Sequence, residues 1–191
     1  VQHLRAAISH FDTEEQARVQ QAIDLAVHAH DRQSRADGSP YVTHPLAVAG
    51  ILAEWGGDVD TIIAGVLHDT LEDTTLDLQE IDHAFGKDVS LLVEGVTKFT
   101  KADFAGEDSL DRKIETLRRL FEVMRSDTRV AIIKLADRLH NIRTIDTLPE
   151  ERQQRFALET LTVYSRLAFH LGMNQLRREF AERSEEHTSE L

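Results

Sequence analysis

The chain contains no cysteine, so its 191 residues can form neither a disulfide framework nor a thiolate zinc site. Any metal must sit on histidine and carboxylate. A cysteine-free acidic chain fits a cytoplasmic setting, the expected compartment. Positive charge is also scarce. Lys and Arg number 22 against 34 Asp and Glu, a formal net charge of −12. That field disfavours DNA as a partner, while a small anion is acceptable where a local basic cluster and a cation receive it. No apolar run approaches the ~20 residues of a membrane span, so no membrane partner is expected. The N-terminus has no basic region ahead of an apolar stretch, and no signal peptide is visible. Alternating strand patterns, internal repeats and low-complexity linkers are missing too.

Helical periodicity fills the space these absences leave. With 41% hydrophobic residues the chain can bury one self-contained core and is short for two. Val19, Ile23, Ala26, Val27 and His30 fall on one helix face, behind a capping-box pattern at Thr13–Gln16. A helix start is expected at His44-Pro45, a stop at Gly56-Gly57 and a new cap at Asp58. The nearly all-apolar stretch Val59–Leu71 reads as a buried helix, with shorter helices at about 77–84 and 87–96. Residues 97–108 mix glycine with charges and read as a loop that could gate a site. Helical spacing resumes from Leu110 to Met124, through Val130–Leu139, and from Pro149 to a stop at Gly172. The expectation is a single all-α domain of about ten short helices over residues 1–183, with a polar tail at 184–191.

Four separated segments share one chemistry. They are His44 within Tyr41–Pro45, the pair His68-Asp69, the pair Glu72-Asp73, and Asp137 within Lys134–Asn141. Two imidazoles and two carboxylates suit a divalent cation. On a continuous helix Glu72 and Asp73 would follow His68 and Asp69 by one turn, within reach for proton transfer. Asp137 lies in an apolar stretch where a carboxylate needs a cation or a partner, and an ion pair with Lys134, Arg138 or Arg143 would serve equally. His140 and Asn141 share its helix face. His28, His30, His83 and His170 read as structural. Arg32 and Arg35, in the polar turn before His44, are candidates to meet phosphate.

Taken in order, residues 29–45 (AHDRQSRADGSPYVTHP), 65–74 (GVLHDTLEDT), 95–98 (GVTK) and 134–144 (KLADRLHNIRT) closely resemble the HD hydrolase domain of the RelA/SpoT family. The likeness runs over about 20–175. It implies an HD-domain-type helical bundle that destroys the alarmone (p)ppGpp, releasing pyrophosphate from the 3′ position to leave GDP or GTP. Carried over residue by residue, it implies Mn²⁺ on His44, His68, Asp69 and Asp137. It also implies Glu72 and Asp73 as the catalytic acidic pair, and Arg35, Asn141 and Thr144 facing the guanine nucleotide, guanosine tetra- or pentaphosphate. Ala36 and Asp37 depart from the basic and small polar residues that many relatives carry there. Residues 164–173 resemble the helix leading to a synthetase domain, although Phe169 and His170 are unusual in it. The chain is therefore expected to be a piece of a longer bifunctional enzyme with covalently linked synthetase and regulatory domains. Another HD-type nucleotide phosphohydrolase, or a nucleotide-binding regulatory module with its hydrolase switched off, are the alternatives.

Overall fold

Aspartate caps and glycine stops divide the chain into helices, and no strand occurs among the described residues. The computed structural model describes residues 2–103, 118 and 127–188. They fall into two units, Val1–Ala136 and Asp137–Leu191. The all-α expectation holds.

The first unit holds α1 (Gln2–Ala7), α2 (Thr13–Ala29), α3 (Thr43–Glu54), α4 (Val59–Leu67), α5 (Thr70–Asp73), α6 (Leu78–Phe85), α7 (Lys87–Asp103) and the first turns of α8 (Thr128–Arg143). The capping box of α2 sits one residue earlier than the sequence pattern indicated. Asp12 accepts from the Glu15 amide at 2.8 Å and Glu15 reaches back to the Asp12 amide at 3.1 Å. A charged aspartate there also complements the helix dipole, which Thr13 cannot do.

Helix α4 is the central element, packed by α2, α3 and α7. Ile62, Ile63, Ala64, Val66 and Leu67 are fully buried. It starts where expected: Asp58 accepts from the Thr61 amide at 2.8 Å. Gly65 allows α3 and α4 to approach closely, since a Cβ there would run into the Leu52 side chain. The helix ends at Leu67 rather than Leu71, with His68 and Asp69 forming a turn before α5. The Thr70 hydroxyl donates to the Leu67 carbonyl at 2.7 Å, taking an acceptor at the helix end.

The expected loop at 97–108 is corrected in its first part, because α7 runs on to Asp103. Val93 and Val96 stay buried, Thr97 back-bonds to the Val93 carbonyl at 3.0 Å, and Lys98 pairs with Glu94 one turn earlier at 2.7 Å. The rest of that loop and the helix expected over Leu110–Met124 lie outside the described residues, Arg118 excepted.

The second unit holds the last turns of α8, a 3₁₀ turn (Ile145–Thr147), α9 (Glu150–Glu159), α10 (Ser165–His170) and α11 (Asn174–Thr188). The run from Pro149 to Gly172 is helical as expected, but a π-turn at Thr160–Tyr164 separates α9 from α10. This register places Tyr164, fully buried, against the Arg138 guanidinium at 3.8 Å from its ring centre, with the Phe156 ring at 4.1 Å. Glu159 binds the same guanidinium at 3.1 Å. Residues 184–188 continue α11, with Ser184 buried, so the segment read as a tail is helical as far as Thr188.

Candidate metal centre

Two helix ends deliver the donors. At the start of α3, the His44 amide bonds to the Tyr41 carbonyl at 3.0 Å and the imidazole is buried. At the end of α4, His68 is fully buried and its Nδ1 lies 2.8 Å from the Gly65 carbonyl. A carbonyl only accepts, so Nδ1 carries the hydrogen and Nε2 is the nitrogen turned toward Asp69. Nε2 of His68 stands 3.0 Å from Asp69 Oδ1, and Nε2 of His44 stands 3.5 Å from Asp69 Oδ2. The two rings are 5.2 Å apart, and one donor atom from each of the three residues lies within 4.8 Å of the others.

Two imidazole nitrogens and a carboxylate facing one another at these distances form an arrangement that a bound cation would reconcile. Two imidazoles and a carboxylate are a mixed donor set of the kind that holds divalent transition metals. The residues present fit a divalent metal, with the Gly65 carbonyl as the outer partner that fixes the His68 ring.

The acidic pair follows on α5. Asp73 stacks one turn beyond Asp69, its amide bonded to the Asp69 carbonyl at 3.0 Å. The turn at His68-Asp69 replaces the continuous helix the spacing assumed, yet this part of the stacking survives. Glu72 is half-buried and Asp73 exposed.

Tyr41 joins the two aspartates, and sequence reasoning missed it. Its hydroxyl lies 3.0 Å from Asp69 Oδ2 and 2.7 Å from Asp73 Oδ2. Burial, then the negative charge of Asp69 and the hydrogen bond to Asp73, push its pKa well above the usual phenol value, so it stays a donor. The available signal was its place three residues before His44, in a chain with only two tyrosines. Gln33 braces the same region, donating to the Asp73 backbone carbonyl at 2.7 Å. Its amide oxygen meets His30 Nδ1 at 2.8 Å, and the His30 ring stacks on Tyr41 at 4.7 Å.

Arg35 lies in a turn closed by its own amide on the Ser39 carbonyl at 2.9 Å. Asp37, one of the departures from the family pattern, staples this turn by accepting from the Ser39 hydroxyl at 2.6 Å and the Ser39 amide at 2.8 Å. Those bonds hold its carboxyl below the usual carboxylate range.

Asp137, Asn141 and Thr144 belong to the second unit. Asp137 is buried and accepts from Asn141 Nδ2 at 2.6 Å. Thr144 turns its hydroxyl back to the His140 carbonyl at 3.1 Å, finishing α8. Two of the cations weighed as partners for Asp137 bind other carboxylates: Arg138 holds Glu159, and Arg143 holds Glu179 at 2.6 Å. The Arg143 hydrogen bond pulls the Glu179 carboxyl below its ordinary value.

Residues 22–174 match the family model described as an HD domain. Among curated proteins, the chain is 48% identical over 160 residues to a GTP pyrophosphokinase of Streptomyces coelicolor, covering 84% of this chain and 18% of that one. It is 45% identical over 165 residues to the bifunctional (p)ppGpp synthase/hydrolase SpoT of Escherichia coli, covering 86% of this chain and 23% of that one. The chain thus spans about a fifth of the length of these relatives. A solved structure described as a metazoan ortholog of SpoT that hydrolyzes ppGpp superposes with a TM-score of 0.62 at 27% identity, covering 91% of this chain and 93% of that one.

Proposed function

Because the chain belongs to the HD-domain family, in its RelA/SpoT branch, we propose that it hydrolyses the 3′-diphosphate of (p)ppGpp. Water adds to phosphorus, the bond to the 3′ oxygen breaks, and GDP or GTP and pyrophosphate leave. The observation that carries this is the convergence of His44, His68 and Asp69 donor atoms within 4.8 Å, with Asp73 of α5 joined to Asp69 through the Tyr41 hydroxyl. We propose Mn²⁺ as the cation, with Asp137 as fourth ligand. Support for Asp137 is its burial and its hydrogen bond from Asn141, which orients the carboxylate. A divalent cation there supplies Lewis acidity and neutralises diphosphate charge.

The chain's own residues do the rest. Asp69 and the two imidazoles hold the site, and the Gly65 carbonyl fixes the His68 tautomer. Glu72 and Asp73 handle the proton that passes from water to the 3′ oxygen. The Tyr41 hydroxyl and the Gln33 amide fix Asp73 by its side chain and its backbone. Arg35, Asn141 and Thr144 are proposed to face the guanine nucleotide. The longer native protein, with synthetase and regulatory domains, would work in the cytoplasm and end the stringent response.

The test is an assay of ppGpp with and without Mn²⁺, reading pyrophosphate and orthophosphate separately. Pyrophosphate release that requires Mn²⁺ is expected. Orthophosphate release from ordinary nucleotides with ppGpp untouched would mean a different HD phosphohydrolase. Tight ppGpp binding without turnover would mean a regulatory module.

A further inference from the structure

A phenol has one hydrogen, and Tyr41 points it at two carboxylates. The distances are 3.0 Å to Asp69 Oδ2 and 2.7 Å to Asp73 Oδ2, so the oxygen sits between a metal ligand and a member of the acidic pair. Only one of these bonds is well made at a time. Asp69 Oδ2 is also the oxygen 3.5 Å from His44 Nε2, on the side where the cation donors gather.

The ring has little freedom to choose otherwise. Tyr41 donates its amide to the Gln33 carbonyl at 3.0 Å, and its ring lies on His30 at 4.7 Å with planes inclined by 28°. Gln33 then reaches across to the Asp73 backbone carbonyl at 2.7 Å. That carbonyl can only accept, so the Gln33 amide oxygen faces His30 and Nδ1 of His30 is the donor in their 2.8 Å bond. One short loop therefore grips Asp73 twice, by backbone and by side chain, and grips Asp69 once.

We propose that Tyr41 is a positioning residue that couples cation loading at Asp69 to the placement of Asp73. A carboxylate that shares its electrons with a cation is a weaker hydrogen-bond acceptor. With the site loaded, the phenol hydrogen turns from Asp69 to Asp73 and fixes that carboxylate for its proton-handling role. Without a cation the hydrogen is shared and Asp73 is less firmly held. The coupling presupposes that Asp73 belongs to the acidic pair, as proposed above, but its binding half is measurable without turnover.

Tyr41→Phe removes the hydroxyl and keeps the ring, its stack on His30 and its backbone bond. Two readouts decide. First, kcat for ppGpp is expected to fall by about tenfold, the scale of one charge-assisted hydrogen bond, with KM unchanged. Second, Mn²⁺ dissociation constants are measured by titration calorimetry for the wild type, Tyr41→Phe, Asp73→Asn and the double variant. The effect of Tyr41→Phe is expected to differ by about tenfold between the wild-type and Asp73→Asn backgrounds, because the same hydrogen links both carboxylates. Equal effects in the two backgrounds, or an unchanged kcat, would overturn the proposal. A merely structural role would shift stability and leave the cycle additive. A wild type that ignores ppGpp would sink the hydrolase assignment instead, while the Mn²⁺ cycle would still judge Tyr41.

Discussion

Asp73 and Asp137 are both carboxylates, proposed for different work, and their surroundings differ. Asp73 is exposed on α5 and takes a hydroxyl hydrogen from Tyr41, while Asp137 is buried and takes an amide hydrogen from Asn141. An exposed carboxylate can exchange protons with water; a buried one is costly unless a positive charge answers it. Replacing each by asparagine separates the roles. Asp73→Asn is expected to retain Mn²⁺ binding, weakened by no more than about tenfold through the Tyr41 link, and to lose ppGpp turnover by at least ~100-fold, the usual scale for a general acid–base group. Asp137→Asn is expected to weaken Mn²⁺ binding itself. Calorimetry beside a pyrophosphate assay reads both. Unchanged turnover in Asp73→Asn would remove the acidic pair from the mechanism, and unchanged Mn²⁺ affinity in Asp137→Asn would remove the fourth ligand. The His44, His68 and Asp69 cluster was legible in the sequence because histidine and aspartate recur in a known order. Tyr41 and Gln33 were not, because their partners lie 28 to 40 residues away and only folding brings them together.

Helix existence was legible wherever apolar residues recur at helical spacing, as in α2 and α4. Helix ends were legible only where a cap or glycine announces them. Asp58 and Gly56 did so; the Thr70 hydroxyl that takes the Leu67 carbonyl and the π-turn at Thr160–Tyr164 did not, since both depend on backbone partners the pattern cannot reveal. The run of α7 past Val96 was hidden by its mix of charges, of which Lys98 pairs with Glu94 one turn earlier. The Asp58 cap carries its own consequence, because it starts the helix that His68 directly follows. Burial raises the Asp58 carboxyl, but the hydrogen bonds from Thr61 and the charge of Arg129 at 3.2 Å outweigh it and lower its pKa. A lowered carboxylate stabilises the fold fully above its unfolded value of about 3.9, and that contribution is lost as pH falls through the lower folded value. Asp58→Ala is expected to cost about 1 kcal/mol at pH 7, and Asp58→Asn less, because asparagine still caps. Urea denaturation should show the gap between wild type and Asp58→Ala narrowing as acid protonates Asp58. A gap that stays constant down to strong acid would mean the charge contributes nothing.

At the scale of the whole chain, a net charge of −12 means that any divalent cation helps to some extent by simple neutralisation. Specific binding leaves a different mark. The unfolded chain does not hold His44, His68 and Asp69 together, so a cation bound by all three stabilises only the folded state. At a concentration one hundred times its dissociation constant the gain is about 2.7 kcal/mol, or roughly 5–10 °C in melting temperature for a chain of this length. Two imidazoles in the donor set make the effect selective, because Mg²⁺ prefers oxygen ligands and gives up its water reluctantly. Differential scanning calorimetry in Mn²⁺ and in Mg²⁺ at equal ionic strength is therefore expected to show a large shift for the first and a small one for the second. His44→Ala should erase the difference while leaving the common part, since the common part comes from the acidic surface. Equal shifts for both ions, persisting in His44→Ala, would mean that the cation only screens the surface and that the imidazoles bind nothing.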